Sequence, residues 1–261
     1  MQLIKTIKVT VIEPVGGHGG MNYYDVGLCG GVGHAGIEVT LHTCDKNPPV
    51  SVSGVFNVKA TFRGVYGTTP AWRRGLRYVR ALITTLVQER TMGSKIVHFH
   101  FFHVGLLEFL GVVLARCLAF RVVVTAHDVE SFKENLSMPI LVKKTYRLAN
   151  AVIAHNRTSA NEVKNKLGVE ESRIHIVPHG SYVDFVEKLI PRKQALELIG
   201  LPPSTNQVIL FFGQIKEVKG LDLLIEAFAL LNKEYPNAQL VIAGRVWKDN
   251  YLKYQNLIIE R

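Results

Sequence analysis

Short β-branched runs that alternate with longer helical patterns predict an α/β fold, a parallel sheet with helices on both faces. Glycine-rich loops join a strand to a helix near each end of the chain, as that class requires. With 261 residues, 48% hydrophobic and 20% charged, the chain can bury a sizeable core and is not a disordered segment. Length predicts one α/β domain plus something smaller.

Residues 7–13 alternate apolar and polar side chains and read as the first strand. Pro14-Val15-Gly16-Gly17-His18-Gly19-Gly20 then leads into a helix over residues 22–35, so its backbone N–H groups can meet an anion without side-chain obstruction. His18 can donate there to a phosphate or a sugar hydroxyl, although the same glycines also suit a plain tight turn. Gly31-Val32-Gly33-His34-Ala35-Gly36 spells G-x-G-x-x-G but ends a helix and enters a strand over residues 37–43, the reverse of the dinucleotide fingerprint. A nicotinamide or flavin site is therefore disfavoured.

A helix is predicted over residues 70–91. Its stretch 71–90 sets Arg73, Arg74, Arg77, Arg80 and Arg90 among Trp72, Leu76, Val79, Leu82, Ile83 and Leu86. That mixture fits an interfacial helix facing anionic lipid, and equally a basic helix facing solvent. The strand over residues 95–101 brings His98 and His100 onto one face, with His103 beyond, but no Cys, Asp or second His group nearby in the sequence completes a metal shell. Either histidine can still line the crevice at the strand's carboxyl end.

The apolar run from Val104 to Phe120 is broken by Glu108 and Arg116 and is shorter than the ~20 clean residues of a membrane span, so it reads as a buried helix over residues 104–119. Val122-Val123-Val124-Thr125-Ala126-His127-Asp128 is an apolar strand ending in an ionisable pair, where such sheets carry their chemistry; a satisfied core histidine is the alternative. A helix over 139–149, a strand over 151–154, a helix over 158–167 with Thr158 and Glu162 at its start and Gly168 as its stop, and a strand over 173–177 complete a domain of residues 1–185.

Pro178-His179-Gly180 and the cluster at residues 201–206 mark a linker over 186–206. A new β-α-β unit follows, with a strand at 207–212, a loop at 213–220, a helix at 221–234, a strand at 239–243 and one further helix; residues 207–261 read as an incomplete second domain. In its loop, Lys216 and Lys219 stand beside the positive end of a helix, a diphosphate clamp in which one charge-assisted hydrogen bond contributes about 1.5–3 kcal/mol. The Walker spacing is absent.

Lys and Arg number 31 against 21 Asp and Glu, a net charge of +10 that favours anionic partners. No nucleic-acid module is recognisable. Cys29, Cys44 and Cys117 have no paired spacing and read as reduced thiols. Lys5 and Lys8 lead straight into a strand rather than a secretion signal, so a cytoplasmic protein is expected.

Together, Gly16-Gly17, Gly36-Ile37-Glu38-Val39-Thr40-Leu41, Ile96-Val97-His98-Phe99-His100, Thr125-Ala126-His127-Asp128, Ile176-Val177-Pro178-His179-Gly180 and the stretch 212–222 resemble, in that order, the retaining family-4 glycosyltransferases of the GT-B fold. The resemblance spans the chain. It implies two Rossmann-like domains across a cleft, a complete N-terminal one for the acceptor and a C-terminal one for a nucleoside diphosphate sugar, with no cofactor and no obligatory metal. By the same resemblance Gly16, Gly17, Gly213, Gln214, Lys216 and Lys219 face the donor and His127 is the catalytic contact to the transferred sugar. His18, Tyr24 and His100 fall on the acceptor side. Gln214 stands where the family carries Arg, Lys216 supplying charge instead, and His179 stands where it more often carries Asn. The family's Glu-x7-Glu segment would lie after Arg261, so a chain truncated in its donor half is expected.

The implied function is transfer of a sugar to a glycan or lipid-linked acceptor in cell-surface polysaccharide or glycolipid synthesis. A catalytically incompetent acceptor- or membrane-binding fragment is the alternative. Where the helix is interfacial rather than solvent-facing, Trp72, Arg73, Arg74, Arg77 and Arg80 face the inner side of the membrane.

Overall fold

A computed structural model describes residues 7–18, 21–45, 55–101, 104–127, 139–181, 189–246 and 251–260. The chain divides into two units, Met1–Val186 and Glu187–Arg261, each with its own parallel sheet.

The first unit carries β1 (Lys8–Ile12), β2 (Glu38–His42), β3 (Asn57–Lys59), β4 (Ile96–Phe101), β5 (Arg121–Ala126), β6 (Ala151–Ala154) and β7 (Ile174–Ile176). They form one seven-stranded sheet in the order β3-β2-β1-β4-β5-β6-β7. Between them lie α1 (Asn22–His34), α2 (Ala71–Thr91), α3 (Leu106–Cys117), α4 (Pro139–Leu148) and α5 (Arg157–Leu167).

The side-chain period of two sorts these strands into faces. Val97, Phe99 and Phe101 of β4 and Val122, Val124 and Ala126 of β5 enter the main core, joined there by Leu82 and Leu86 of α2, Val112 of α3, Tyr146 of α4 and Val163 of α5. Val11, Val39 and Leu41 point the other way and pack against Cys29 of α1. Right-handed crossovers account for the division, because only α1 connects strands that step leftward in this order and so it alone takes the second face. The order reverses between β1 and β4, and a crevice opens at their carboxyl ends.

Several local expectations are adjusted. The edge strand β3 was not legible, since three residues with an exposed first pair carry no alternation to read. The helix read as buried is half-exposed, with Leu106 and Leu110 toward solvent. Its two charges have local partners: Glu108 accepts the Gly105 N–H at 2.9 Å, and Arg116 donates to Asn150 Oδ1 at 2.6 Å. Among the described residues no helix is long and apolar enough to cross a membrane. For α5 the cap is Asn156, which accepts the Ser159 N–H at 2.8 Å, rather than Thr158; Gly168 ends the helix in the left-handed region as predicted.

In the second unit β8 (Val208–Phe212) pairs with β9 (Gln239–Ala243), flanked by α6 (Arg192–Leu198), α7 (Leu221–Glu234) and α8 (Tyr251–Glu260). Ile215, Leu221, Ile225 and Tyr254 form its core. The short helix α6 occupies part of the span read as linker. Its Leu196 is buried, and Arg192 donates to the carbonyls of Thr205 and Asn206 at 3.0 Å, which ties down the turn cluster.

Candidate functional site

At the end of β1 the chain turns through Glu13, whose side chain is fully buried. Its carboxyl accepts the N–H of Val15 at 2.9 Å and of Gly16 at 2.5 Å. The N–H of Gly16 is thereby occupied by the protein's own carboxyl, so any anion at this loop meets other donors. Gly17 follows in a 3-10 turn, Gly16–His18, and α1 starts at Asn22. For His18 only the backbone position is described, and Gly19, Gly20, His103 and Asp128 lie outside the described residues.

Asp25, in the first turn of α1, is also fully buried and accepts from His100 Nδ1 at 2.9 Å. The Glu13 and Asp25 carboxyls are buried neighbours, and a hydrogen bond between them requires a proton on one of the two. Burial above all, and then the neighbouring Asp25 charge, hold Glu13 well above the usual carboxylate range, at about 8; burial raises Asp25 likewise.

Around this pair the fold gathers imidazoles from separate strands. Tyr24 makes edge contacts with His100, His127 and His155, with ring centroids 5.2, 4.6 and 5.5 Å apart, and a tilted contact with His179 at 5.2 Å. His98 lies 4.6 Å from His100 and shares a 2.7 Å hydrogen bond with Thr125. Burial pushes His100 and His127 down to about 3 and holds His98 well below the ordinary imidazole range, with nearby imidazoles adding to the effect in each case. His98, His100 and His127 are therefore neutral at physiological pH and suited to hydroxyl groups rather than to anions. A cavity of about 250 Å³ runs along α1 beside them, lined by Tyr23, Tyr24, Gly27, His155, Pro178 and His179.

The sequence brought His98, His100, His127 and Tyr24 to attention but not Glu13, Asp25 or His155. A carboxylate at the end of an apolar strand and another on the sheet-facing side of α1 were signals available for the first two. His155 carried none, because an exposed strand end and a crevice look alike in one dimension. No group of three or more His, Cys, Asp or Glu able to hold a metal ion occurs among the described residues.

In the second unit the stretch after β8 includes Gly213, Gln214, Lys216 and Lys219, the last in a 3-10 turn Glu217–Lys219 that leads into α7. Ile215 N–H bonds the Arg245 carbonyl at 2.9 Å and anchors the loop to the end of β9. Lys219 and Gln214 are exposed, and Lys216 is half-buried.

On α2, Trp72 and Leu76 are about two-thirds exposed, at 66% and 63%. Arg73 stands 5.1 Å over the Trp72 ring, Arg77 donates to the Gly64 carbonyl at 3.0 Å, and Arg80 faces solvent while Arg74 is half-buried. Leu82 and Leu86, counted with the same apolar set in the sequence, instead enter the core, and Arg90 turns inward to the Leu118 carbonyl at 2.8 Å.

The family model described as Glycosyltransferase Family 4 matches residues 18–184, and the one described as Glycosyl transferases group 1 matches residues 194–260. The D-inositol 3-phosphate glycosyltransferase of Nocardiopsis dassonvillei is 27% identical over 242 residues, covering 85% of this chain and 54% of that protein. Anabaena HepE in complex with UDP-glucose superposes with a TM-score of 0.67 at 15% identity, over 98% of this chain and 66% of that one. The UDP-GlcNAc 2-epimerase of Methanocaldococcus jannaschii superposes with a TM-score of 0.57 at 12% identity, over 98% of this chain and 68% of that one. At these identities the likeness is one of fold. The chain spans about half the length of curated relatives that it matches over most of its own residues.

Proposed function

Because the chain belongs to Glycosyltransferase Family 4, with an α/β fold of the GT-B type, we propose that it serves the transfer of a glycosyl group from a nucleoside diphosphate sugar to a hydroxyl of a glycan or lipid-linked acceptor. The observation that carries this reading is the loop after β8, where exposed Lys219 and half-buried Lys216 sit beside the start of α7, inside the segment matched by the second family model. A diphosphate leaving group gains negative charge as its bond to the anomeric carbon breaks, and lysines with a helix N-terminus stabilise that charge. The acceptor oxygen forms the new bond to that carbon and gives up its proton. Retention of configuration, the contact of His127 with the transferred sugar, and independence of cofactor and metal belong to the same proposal by resemblance. Cell-surface polysaccharide or glycolipid synthesis is the proposed setting.

Binding of UDP, measured calorimetrically with the purified protein, is expected to weaken about 10- to 150-fold in Lys219→Met, the equivalent of one charge-assisted hydrogen bond. Unchanged affinity would remove Lys219 from the donor site. Incubation with a panel of nucleotide sugars and acceptor extracts tests the reaction itself: release of nucleoside diphosphate with a glycosylated product supports transfer. Conversion of the donor to an epimer overturns it in favour of the other chemistry found on this fold.

A second reading, an acceptor- or membrane-binding protein without turnover, is favoured by the exposed Trp72 and Leu76 set among arginines. Such a surface suits the cytoplasmic face of an anionic membrane, apolar side chains entering the headgroup boundary while guanidinium groups meet phosphates. Flotation with anionic liposomes is expected to recover the wild-type protein and to lose at least about half of it in the Arg73→Glu, Arg80→Glu double variant. Equal flotation of the two, or none of either, would discard the membrane surface.

A further inference from the structure

We propose that Asp25 is a positioning residue that holds the His100 imidazole as its Nδ1–H tautomer, with Glu13 carrying the proton that the two carboxyls share. Asp25 Oδ1 lies 2.9 Å from His100 Nδ1, and both side chains are fully out of solvent. Asp25 Oδ2 receives no N–H or hydroxyl from any described residue, so a protonated Glu13 carboxyl beside it is the group that can donate to it. Glu13 in turn accepts two backbone N–H groups, from Val15 and Gly16. The consistent assignment gives the Glu13 O–H to Asp25 as donor, keeps Asp25 ionised, and lets it accept the His100 Nδ1–H as well.

Two neighbouring rings repeat the pattern. His155 Nδ1 lies 2.9 Å from the Val177 carbonyl and His179 Nδ1 lies 2.9 Å from the Gly180 carbonyl. A carbonyl can only accept, so each of those rings carries a hydrogen on Nδ1. Asp25 does for His100, inside the sheet, what the backbone does for the other two. His100 Nε2 is buried without a partner among the described residues, so on this assignment the surface beside Tyr24 includes an acceptor nitrogen. A ligand bringing hydroxyl hydrogens satisfies such a surface, whereas a phosphate or carboxylate meets lone pairs. The carboxyl pair also links this surface to the loop after β1, because Glu13 holds that loop's first N–H groups. That the hydroxyls are those of a sugar acceptor rests on the glycosyl-transfer reading; the tautomer does not.

Long-range ¹H–¹⁵N NMR correlation of the imidazoles in the full chain, with His100 assigned by a His100→Gln variant, tests the proposal without substrate. Wild type is expected to show the Nδ1–H tautomer at His100, and an Nε2–H tautomer there overturns the proposal without need of any further variant. Asp25→Asn retains an oxygen acceptor, and its amide can donate to an ionised Glu13, so it is expected to keep the tautomer. Asp25→Leu, similar in size but with no acceptor, is expected to lose it while His155 and His179 keep theirs as a check of folding; a retained Nδ1–H signature at His100 in that variant rejects the positioning role. In transfer assays Asp25→Leu is expected to raise the acceptor KM at least about tenfold, with Asp25→Asn restoring it and UDP affinity unmoved. A wild-type protein with the expected tautomer and no transfer would refute the glycosyl-transfer reading alone and leave the tautomer assignment standing.

Discussion

Alanine in place of Gly244 is expected to disorganise the loop after β8 and weaken nucleotide binding more than any single lysine substitution. Gly244 follows β9 directly, and a Cβ built on it would overlap the carbonyl oxygen of Gly213, a backbone atom that cannot rotate away. Relief requires one chain to move. Either movement breaks the adjoining ladder, in which Gly213 N–H bonds the Ala243 carbonyl at 3.0 Å and Ile215 N–H bonds the Arg245 carbonyl at 2.9 Å. Forced overpacking of this kind costs about 3 kcal/mol or more when backbone is involved, a large share of what the small core around Ile215, Leu221, Ile225 and Tyr254 supplies. Hydrogen exchange should show early loss of protection in β8 and β9, with the first unit unaffected, and UDP affinity should fall by more than about 150-fold. Native protection and native affinity in Gly244→Ala would show that the close approach does not shape the donor loop.

The buried carboxyl pair should give the first unit a stability maximum near neutrality that Glu13→Gln broadens toward high pH. Glu13 is raised from 4.5 to about 8 in the folded protein, so the folded state binds the proton more tightly than the unfolded chain. Its contribution is complete below about 4.5 and disappears as the pH rises through about 8. His100 and His127 act oppositely. Lowered from 6.5 to about 3, they contribute fully above 6.5 and lose that contribution as the pH falls toward 3. Glutamine keeps an oxygen for one of the two loop N–H groups and an N–H for Asp25, gives up the acceptor of the other at every pH alike, and cannot ionise. Urea unfolding followed from pH 5 to pH 9 should therefore show a wild-type decline on the alkaline side, on the order of 2 kcal/mol, that is largely absent in Glu13→Gln. Parallel profiles for the two proteins would mean that Glu13 ionises in the folded state as readily as in the unfolded chain.

Much of the architecture is legible in one dimension because it rests on local rules. The apolar alternation of β4 and the continuous apolar run of β5 located two central strands, and Gly168 marked the end of α5 through its left-handed conformation. The ordered motifs resembled a family, and the family models match the stretches that carry all of them but Gly16-Gly17. Illegibility begins where a residue's role depends on what is packed across from it. In α2, Leu82 and Trp72 carry the same apolar signal, yet one lies in the core and the other is mostly exposed. The seven-residue helix α6 was hidden in a segment read as linker because it is too short to establish a period.

The sequence by itself determined the α/β class, the chemistry available at the strand ends and the family. Only the tertiary structure decided which carboxyl meets which imidazole. Asp25 and His100 are 75 residues apart, and nothing in their local spacing joins them. They meet because the strand order reverses between β1 and β4, which sends α1 alone across the face to which His98 and His100 point. Periodicity is set by bonds between near neighbours, whereas the partner of a buried polar group is set by crossover handedness and strand order, which act on the whole sheet.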